Sequence, residues 1–250
     1  MHVCHEVSYQ LVYADKAIRF LDTRDVALLS SLGAGCTLVT LAPEMTTPAT
    51  LRHLAMEGVV LSAGHTDGTY EEITESFRNG VRGVTHLFNA MSPMHHRTPG
   101  AAGAALADPD CWCGIIVDGV HVHPAVLRIA LAAKRAERFM LVTDAMPSVG
   151  SDQDWFMLQG RRIRAQNGIC VDEDGTLAGA AVDMATSVRN CVQMLGLPLA
   201  RAARMASTYP AEFLGLGAEL GRIAPGYRAN LVAMDSDLKV TRTWIDGAAG

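Results

Sequence analysis

The sequence predicts an α/β fold built on a parallel sheet, and three observations carry that prediction. Five short apolar runs recur along the 250 residues: CTLVTLAP (36–43), VVLSAG (59–64), GVTHL (83–87), CGIIVDG (113–119) and FMLVTDA (139–145). Amphipathic stretches with helical spacing lie between and after them: TPATLRHLAMEG, TYEEITESFRNG and PAVLRIALAAKRAER. Apolar runs alternating with helices are the pattern of a parallel sheet covered on its faces. Third, side chains with chemistry to offer fall where these runs end: Glu44, His65, His86 and Asp144. Parallel α/β folds gather their functional groups at the carboxyl ends of their strands.

The elements follow in order. Thr69 before YEE and Pro124 before AVLRIAL are helix starts, and Gly58 and Gly80 are helix stops. After Asp144 the pattern changes: FMLQGRRIRAQNGICVDEDGTLAG alternates and turns at Asn167-Gly168 and Asp174-Gly175, which reads as a β-hairpin excursion. Helices are expected over about 183–196, 198–206 and around PAEFLGLG, and the tail ANLVAMDSDLKVTRTWIDG reads as strand, turn, strand. No internal repeat or low-complexity linker interrupts the chain.

Composition narrows the class of function. Hydrophobic residues make up 49% of the chain, enough for one sizeable core, and the net charge of -5 is not a nucleic-acid footprint. Six cysteines (Cys4, Cys36, Cys111, Cys113, Cys170, Cys191) show no CxxC pair and no disulfide framework, which suits a reducing compartment. Cys111 and Cys113 flank Trp112 beside an apolar run and read as packing residues. The first residues lack the pattern of a signal peptide, and no apolar stretch is long enough to cross a membrane. The expectation is a soluble cytoplasmic protein.

Two imidazoles and a carboxylate from neighbouring strands, His65, His86 and Asp144, can converge on a divalent cation and a water, with His121 just beyond the fourth run. That pattern suggests a metal-dependent hydrolase. His95 and His96 read as solvated, His123 as a helix-start residue, and His2, His5 and His53 carry no pattern. A closed parallel barrel needs eight strands. Five are visible, so the chain is either an open doubly wound sheet, for which no glycine-rich phosphate turn is found, or the later part of a barrel.

Several segments then become specific together. LSAGHTDGTYEE, GVTHLFNAMSPMHHRTPG, CGIIVDGVHVHPAVLRIA, LVTDAMPSVG, GTLAGAAVDMATSVRNCV and the stretch from MASTYPAEFLGLG to TRTWIDG occur in the order seen in N-acetylglucosamine-6-phosphate deacetylases, members of the amidohydrolase superfamily, which the chain resembles from about residue 19 onward. The resemblance implies an incomplete (β/α)8 TIM-like barrel, about the last five βα units in 1–219, with the C-terminal strands of a small β-sandwich in 220–250. It implies hydrolysis of N-acetyl-D-glucosamine 6-phosphate to D-glucosamine 6-phosphate and acetate with one divalent metal ion, Zn2+ or Fe2+.

Residue by residue, the resemblance makes His65 and His86 metal ligands and Asp144 the catalytic aspartate that moves a proton from water to the leaving amine. His121 would contact the substrate and polarise the acetyl carbonyl. Asn89, the backbone at Ala90, and Arg97 in HRTPG would hold the sugar phosphate, with Leu177, Ala178 and Gly179 as a further substrate-contacting segment. A homodimer with no nucleic-acid or membrane partner is implied as well. The family's third ligand is a glutamate in a motif close to HLEGP, for which Glu6 in MHVCHEVSY is the nearby candidate. The missing front of the barrel predicts a piece of a longer reading frame. The alternatives are a truncated form that borrows surface from a partner, a catalytically inactive sugar-phosphate-binding remnant, and an amidohydrolase acting on another amide.

Overall fold

A computed structural model of the chain describes residues 4–8, 20–32, 35–158, 160–166, 168–175 and 177–250. Strands β1 (Cys4–Ser8), β2 (Cys36–Leu41), β3 (Val60–Ala63), β4 (Val81–Val84), β5 (Trp112–Ile115) and β6 (Phe139–Leu141) form one sheet in chain order. The successive pairs from β1 to β5 are parallel. Parallel strands that neighbour one another in chain order, with helices in the crossovers, are the arrangement of a barrel rather than of a doubly wound sheet. Each of the five apolar runs overlaps a strand, the third only at Gly83 and Val84, since β4 begins two residues earlier and ends before His86. The sixth, β1, was not legible because CHEVS is short and half polar, and its strand character rests on pairing with β2.

The chain divides into two compact units, Met1–Gly114 with Ala130–Phe139, and Ile115–Ile129 with Met140–Gly250. In the first, Val39, Leu61, Ala63 and Val84 from the sheet are fully buried, as are Leu54 from α2 (Pro48–Met56) and Ile73 from α3 (Tyr70–Arg78). Each large apolar side chain buried in this way contributes about 1.5–3 kcal/mol. Helix α3 begins as the sequence suggests. Thr69 Oγ1 accepts the Glu72 N–H at 3.2 Å while the Glu72 carboxylate accepts the Thr69 N–H at 2.8 Å, a capping box that satisfies two orphan donors. It stops at Gly80, whose φ of 107° and a neighbouring Ala55 leave no room for a side chain.

Two helices of this unit went unread. Helix α1 (Thr23–Leu29) is short, and α4 (Gly100–Ala107) is the sequence GAAGAALA, which has no polar face to mark a helical period. Seven of its eight residues are buried, so burial rather than amphipathicity holds it.

The second unit contains α5 (Pro124–Ala133) up to Ile129, and then a four-stranded antiparallel sheet of β7 (Trp155–Leu158), β8 (Arg161–Gln166), β9 (Ile169–Val171) and β10 (Leu177–Ala180). This is the expected hairpin excursion. Gly168 and Gly175 sit at its turns with φ of 84° and 80°, and Asn167 lies outside the described residues. Helices α6 (Met184–Gln193), α7 (Leu199–Ala206) and α8 (Thr208–Phe213) follow, burying Val188, Cys191, Met205 and Phe213. The tail forms a three-stranded antiparallel sheet, β11 (Leu231–Met234), β12 (Val240–Ile245) and β13 (Ala248–Ala249). Among the described residues no helix is long and apolar enough to cross a membrane.

Candidate active site

Seven non-glycine residues adopt positive φ among the described residues, and three of them are His65 (49°), His86 (35°) and Asp144 (52°). Each stands just past the carboxyl end of its strand, β3, β4 or β6. Left-handed backbone at a non-glycine residue costs about 1–3 kcal/mol and persists only where the surroundings impose it. Phe88 (77°) and Ala90 (43°) continue the same strained turn after His86.

In the first unit the two histidines meet. His86 Nε2 lies 2.9 Å from His65 Nε2, the rings edge to face with centroids 4.7 Å apart. His86 is 4% exposed, and its Nδ1 has no partner among the described residues. Two ring nitrogens aimed at one point suit either a shared proton or a shared cation. Small residues make the approach possible. A Cβ at Gly64 would stand 2.8 Å from Thr40 Cγ2 and 3.0 Å from Thr85 Cβ. Thr85 Oγ1 bonds both Thr40 Oγ1 and Ser62 Oγ at 2.8 Å, so a buried hydroxyl cluster lies directly beneath the histidine turn.

No group of three or more histidine, cysteine or acidic side chains gathers around these nitrogens among the described residues. For Glu6 only the backbone register of β1 is described. Register sets Glu6 level with Leu38, and Leu38 level with Val60, whereas His65 comes five residues after Val60. At ~3.3 Å per residue that is about 16 Å along the strands. The backbone of Glu6 thus stands mid-strand in β1 rather than at a strand end.

Asn89 and Ala90 belong to the histidine turn. The Asn89 amide reaches the carbonyls of His86 and Leu87, each at 3.3 Å, and the Ala90 carbonyl accepts the Thr66 N–H at 3.0 Å. Arg97 is exposed on the following loop, where His95 and Thr98 exchange backbone hydrogen bonds. His95 and His96 are exposed too, as the sequence suggests.

In the second unit His121 is paired with a residue that sequence reasoning passed over. Asp118 Oδ2 accepts from His121 Nδ1 at 2.5 Å, while Oδ1 accepts the N–H groups of Val120 and His121 at 2.9 Å each. Both side chains are 5% exposed. The signal was the i, i+3 spacing in DGVH, which lets a carboxylate cap a turn and grip the imidazole at its end. The Asp118 hydrogen bond holds the His121 pKa above its ordinary value against the opposing effect of burial, and the Asp118 and Asp144 charges add to it. For Asp118, burial pushes the pKa up, but the hydrogen bonds from His121 and the two backbone N–H groups outweigh it, and the pKa is lowered. The imidazole is thereby anchored through Nδ1, leaving Nε2 for other work.

Asp144 is tied to the remaining predicted segment. Its carbonyl accepts the Ala180 N–H at 2.8 Å, and the Ala180 carbonyl accepts the Met146 N–H at 2.9 Å. Leu177, Ala178 and Gly179 on β10 are thus brought beside the aspartate turn. Gly179, with φ of 101°, is where a Cβ would meet Met146 at 2.5 Å. A cavity of about 400 Å³ lies in this unit, lined by Asp118, Ser148, Asp183, Thr186 and Asn190 among others. That is within the size range of a small-ligand site, and these five residues offer hydrogen bonds.

Comparison with known proteins adds a lineage to this geometry. The sequence model of the amidohydrolase family matches residues 24–249. The N-acetylgalactosamine-6-phosphate deacetylase of Shewanella sp. (strain ANA-3) is 40% identical over 92% of this chain and 58% of its own length. The chain spans between half and three-fifths of the first curated relatives it matches. Among solved structures, the N-acetylglucosamine-6-phosphate deacetylase of Pasteurella multocida superposes with a TM-score of 0.93 at 34% identity, over 100% of this chain and 67% of that one. A mutant of the Mycobacterium smegmatis deacetylase, in complex with N-acetyl-D-glucosamine 6-phosphate, superposes with a TM-score of 0.90 at 32% identity, over 99% of this chain and 68% of that one.

Proposed function

The chain belongs to the amidohydrolase family, and on that footing we propose that it is the deacetylating part of an enzyme that hydrolyses N-acetyl-D-glucosamine 6-phosphate to D-glucosamine 6-phosphate and acetate. The observation that carries this reading is the left-handed backbone that His65, His86 and Asp144 each adopt just past a strand end, with the two histidine Nε2 atoms 2.9 Å apart.

The family is generally dependent on a divalent metal. The facing ring nitrogens of His65 and His86 fit as two ligands to such an ion, Zn2+ or Fe2+, and a further ligand would come from outside the described cluster. When bound, the ion supplies water activation and polarisation of the acetyl carbonyl. The protein's own groups do the rest. Asp144 takes a proton from the attacking water and returns it to the leaving nitrogen, since an amide cannot expel an unprotonated amine. His121, held through Nδ1 by Asp118, whose carboxylate favours the imidazolium form, donates from Nε2 to the acetyl oxygen as charge develops there. Arg97 takes the 6-phosphate, for which its fork of donors is suited, and Asn89 and the Ala90 backbone contact the sugar phosphate. Leu177, Ala178 and Gly179 close the sugar side.

The test is to measure metal bound per chain together with acetate release from N-acetyl-D-glucosamine 6-phosphate, with Zn2+ or Fe2+ added. Metal uptake with turnover is expected. A folded protein that binds metal and releases no acetate would overturn the reading, and would favour a sugar-phosphate-binding remnant. The galactosamine epimer is the second substrate to try, because the Shewanella relative carries that name. N-acetyl-D-glucosamine without phosphate is the third, to separate this reading from hydrolysis of another amide.

We further propose that residues 1–219 act as the hydrolase part and 220–250 as part of a small β domain, in a cytoplasmic homodimer. Cys111, Cys113, Cys170 and Cys191 are free and buried, in keeping with a reducing compartment. Light scattering of the purified protein tests the dimer.

A further inference from the structure

Glu44 has no part in the chemistry proposed above, yet its carboxylate is aimed at the segment that carries His65. It stands in the 3₁₀ turn Pro43–Met45 that follows β2. Its Oε2 accepts the Thr66 hydroxyl at 2.5 Å and its Oε1 accepts the Asp67 N–H at 2.9 Å. Thr66 Oγ1 in turn accepts the Gly68 N–H at 3.0 Å. A Cβ at Gly68 would come within 3.1 Å of Glu44 Oε2, so this position is glycine where the chain passes closely over the carboxylate.

Thr66, 2% exposed, is held at every polar group. Its hydroxyl goes to Glu44, its N–H to the Ala90 carbonyl at 3.0 Å, and its carbonyl takes the Ser92 N–H at 2.9 Å. Ser92 Oγ then donates to the Gly68 carbonyl at 2.5 Å and accepts the Ala101 N–H at 2.7 Å. The loops after β2, β3 and β4 are therefore one connected network, and Glu44 brings a charged side chain into it. The residue before Thr66 is His65, in a left-handed conformation that an unrestrained histidine would leave.

We infer that Glu44 is a positioning residue for His65: it locks the Thr66–Gly68 turn from the neighbouring strand end and so keeps His65 Nε2 facing His86 Nε2. The inference rests on the reading of the two histidines as a metal-binding pair only for its second readout. Groups that support a metal ligand from behind influence affinity by about 10–100-fold when removed.

The first readout uses metal-free protein and the imidazole ¹⁵N–¹H NMR signals of His65, His86 and His121. Glu44→Ala is expected to disrupt the coupled signals of His65 and His86 and to leave those of His121 in place. Glu44→Gln should largely restore the wild-type pattern, because an amide can still accept from Asp67 and pair with the Thr66 hydroxyl. The second readout is Co2+ affinity, by equilibrium dialysis and the visible absorption of the bound ion, expected to weaken about 10–100-fold in Glu44→Ala. If wild type takes up no Co2+, the metal reading falls while the imidazole signals still decide the role of Glu44. A Glu44→Ala protein that melts at lower temperature but keeps the wild-type imidazole signals would overturn the inference, leaving Glu44 a merely structural tie. Should that variant fail to fold, Thr66→Val, which removes the hydroxyl link alone, takes its place in the same measurement: disturbed His65 and His86 signals support the inference, and unchanged ones overturn it.

Discussion

The turn after β3 and β4 and the turn after β5 both present histidines, and they hold them in different ways. His65 and His86 are fixed by backbone: left-handed φ, buried hydroxyls beneath, and loops laced together through Thr66 and Ser92. Their Nε2 atoms face each other. His121 is fixed by charge, through a buried carboxylate 2.5 Å from Nδ1 that raises its pKa. The first arrangement turns two ring nitrogens to one point and suits cation binding. The second favours the protonated ring and suits donation to a developing oxyanion. A protein that needs both a cation and a proton donor gains by giving its imidazoles different supports, because a carboxylate bound to a ring favours its protonated form.

The largest effect is expected from Asp144→Asn, which keeps the shape of the turn and removes its base. Acetate release should fall by about 10³-fold or more while bound metal stays constant. Loss of less than tenfold would remove Asp144 from the proton path.

Next come His65→Ala and His86→Ala, made singly and together. Each alone should abolish tight uptake of Zn2+ or Co2+, and the double variant should be no worse than either single, since two ligands of one ion act as a unit. His121→Ala should leave uptake within a few-fold of wild type, and equal losses at all three would erase the contrast between the two turns.

Arg97→Ala is expected to raise KM for the 6-phosphorylated substrate about 10–100-fold with kcat little changed, the signature of lost uniform binding. The unphosphorylated sugar should be indifferent to it. An equal change with both substrates would place Arg97 away from the phosphate.

Asp118→Asn sharpens the comparison most directly. NMR titration should find the His121 pKa falling back toward its ordinary 6.5, with His65 and His86 unaffected. The smallest effect is on stability against pH, followed by urea midpoint. The raised pKa of His121 adds stability that is complete below pH 6.5 and is lost as pH rises through the higher folded value. The lowered pKa of Asp118 adds stability that is present above pH 3.8 and is lost as pH falls through its lower folded value. Both contributions should vanish in Asp118→Asn.

Much of this was legible in the residues. The five apolar runs each overlap a strand, and Gly168 and Gly175 sit at turns of the hairpin sheet. Thr69, Gly58 and Gly80 bound helices, because caps and stops act through local hydrogen bonds and φ that neighbouring sequence controls. Helix α4 was not legible, since GAAGAALA is uniformly small and only burial makes it a helix. Nor was β1, whose polar residues join the sheet by pairing.

The same division runs through the site. Position at the end of an apolar run singled out His65, His86 and Asp144, with His121 just beyond one, because such positions are properties of a chain read in one dimension; Asn89, Ala90, Arg97 and Leu177–Gly179 were candidates through the resemblance to a family. Tertiary structure decided which of them meet. It brought His65 Nε2 to His86 Nε2 and β10 to the Asp144 turn, and it left Glu6 about 16 Å down the strands from the histidine level. It also gave Glu44, already at a strand end in the sequence, its partner: the Thr66 hydroxyl 22 residues away. Register and loop closure depend on how whole strands pair, and no short stretch of sequence carries that information.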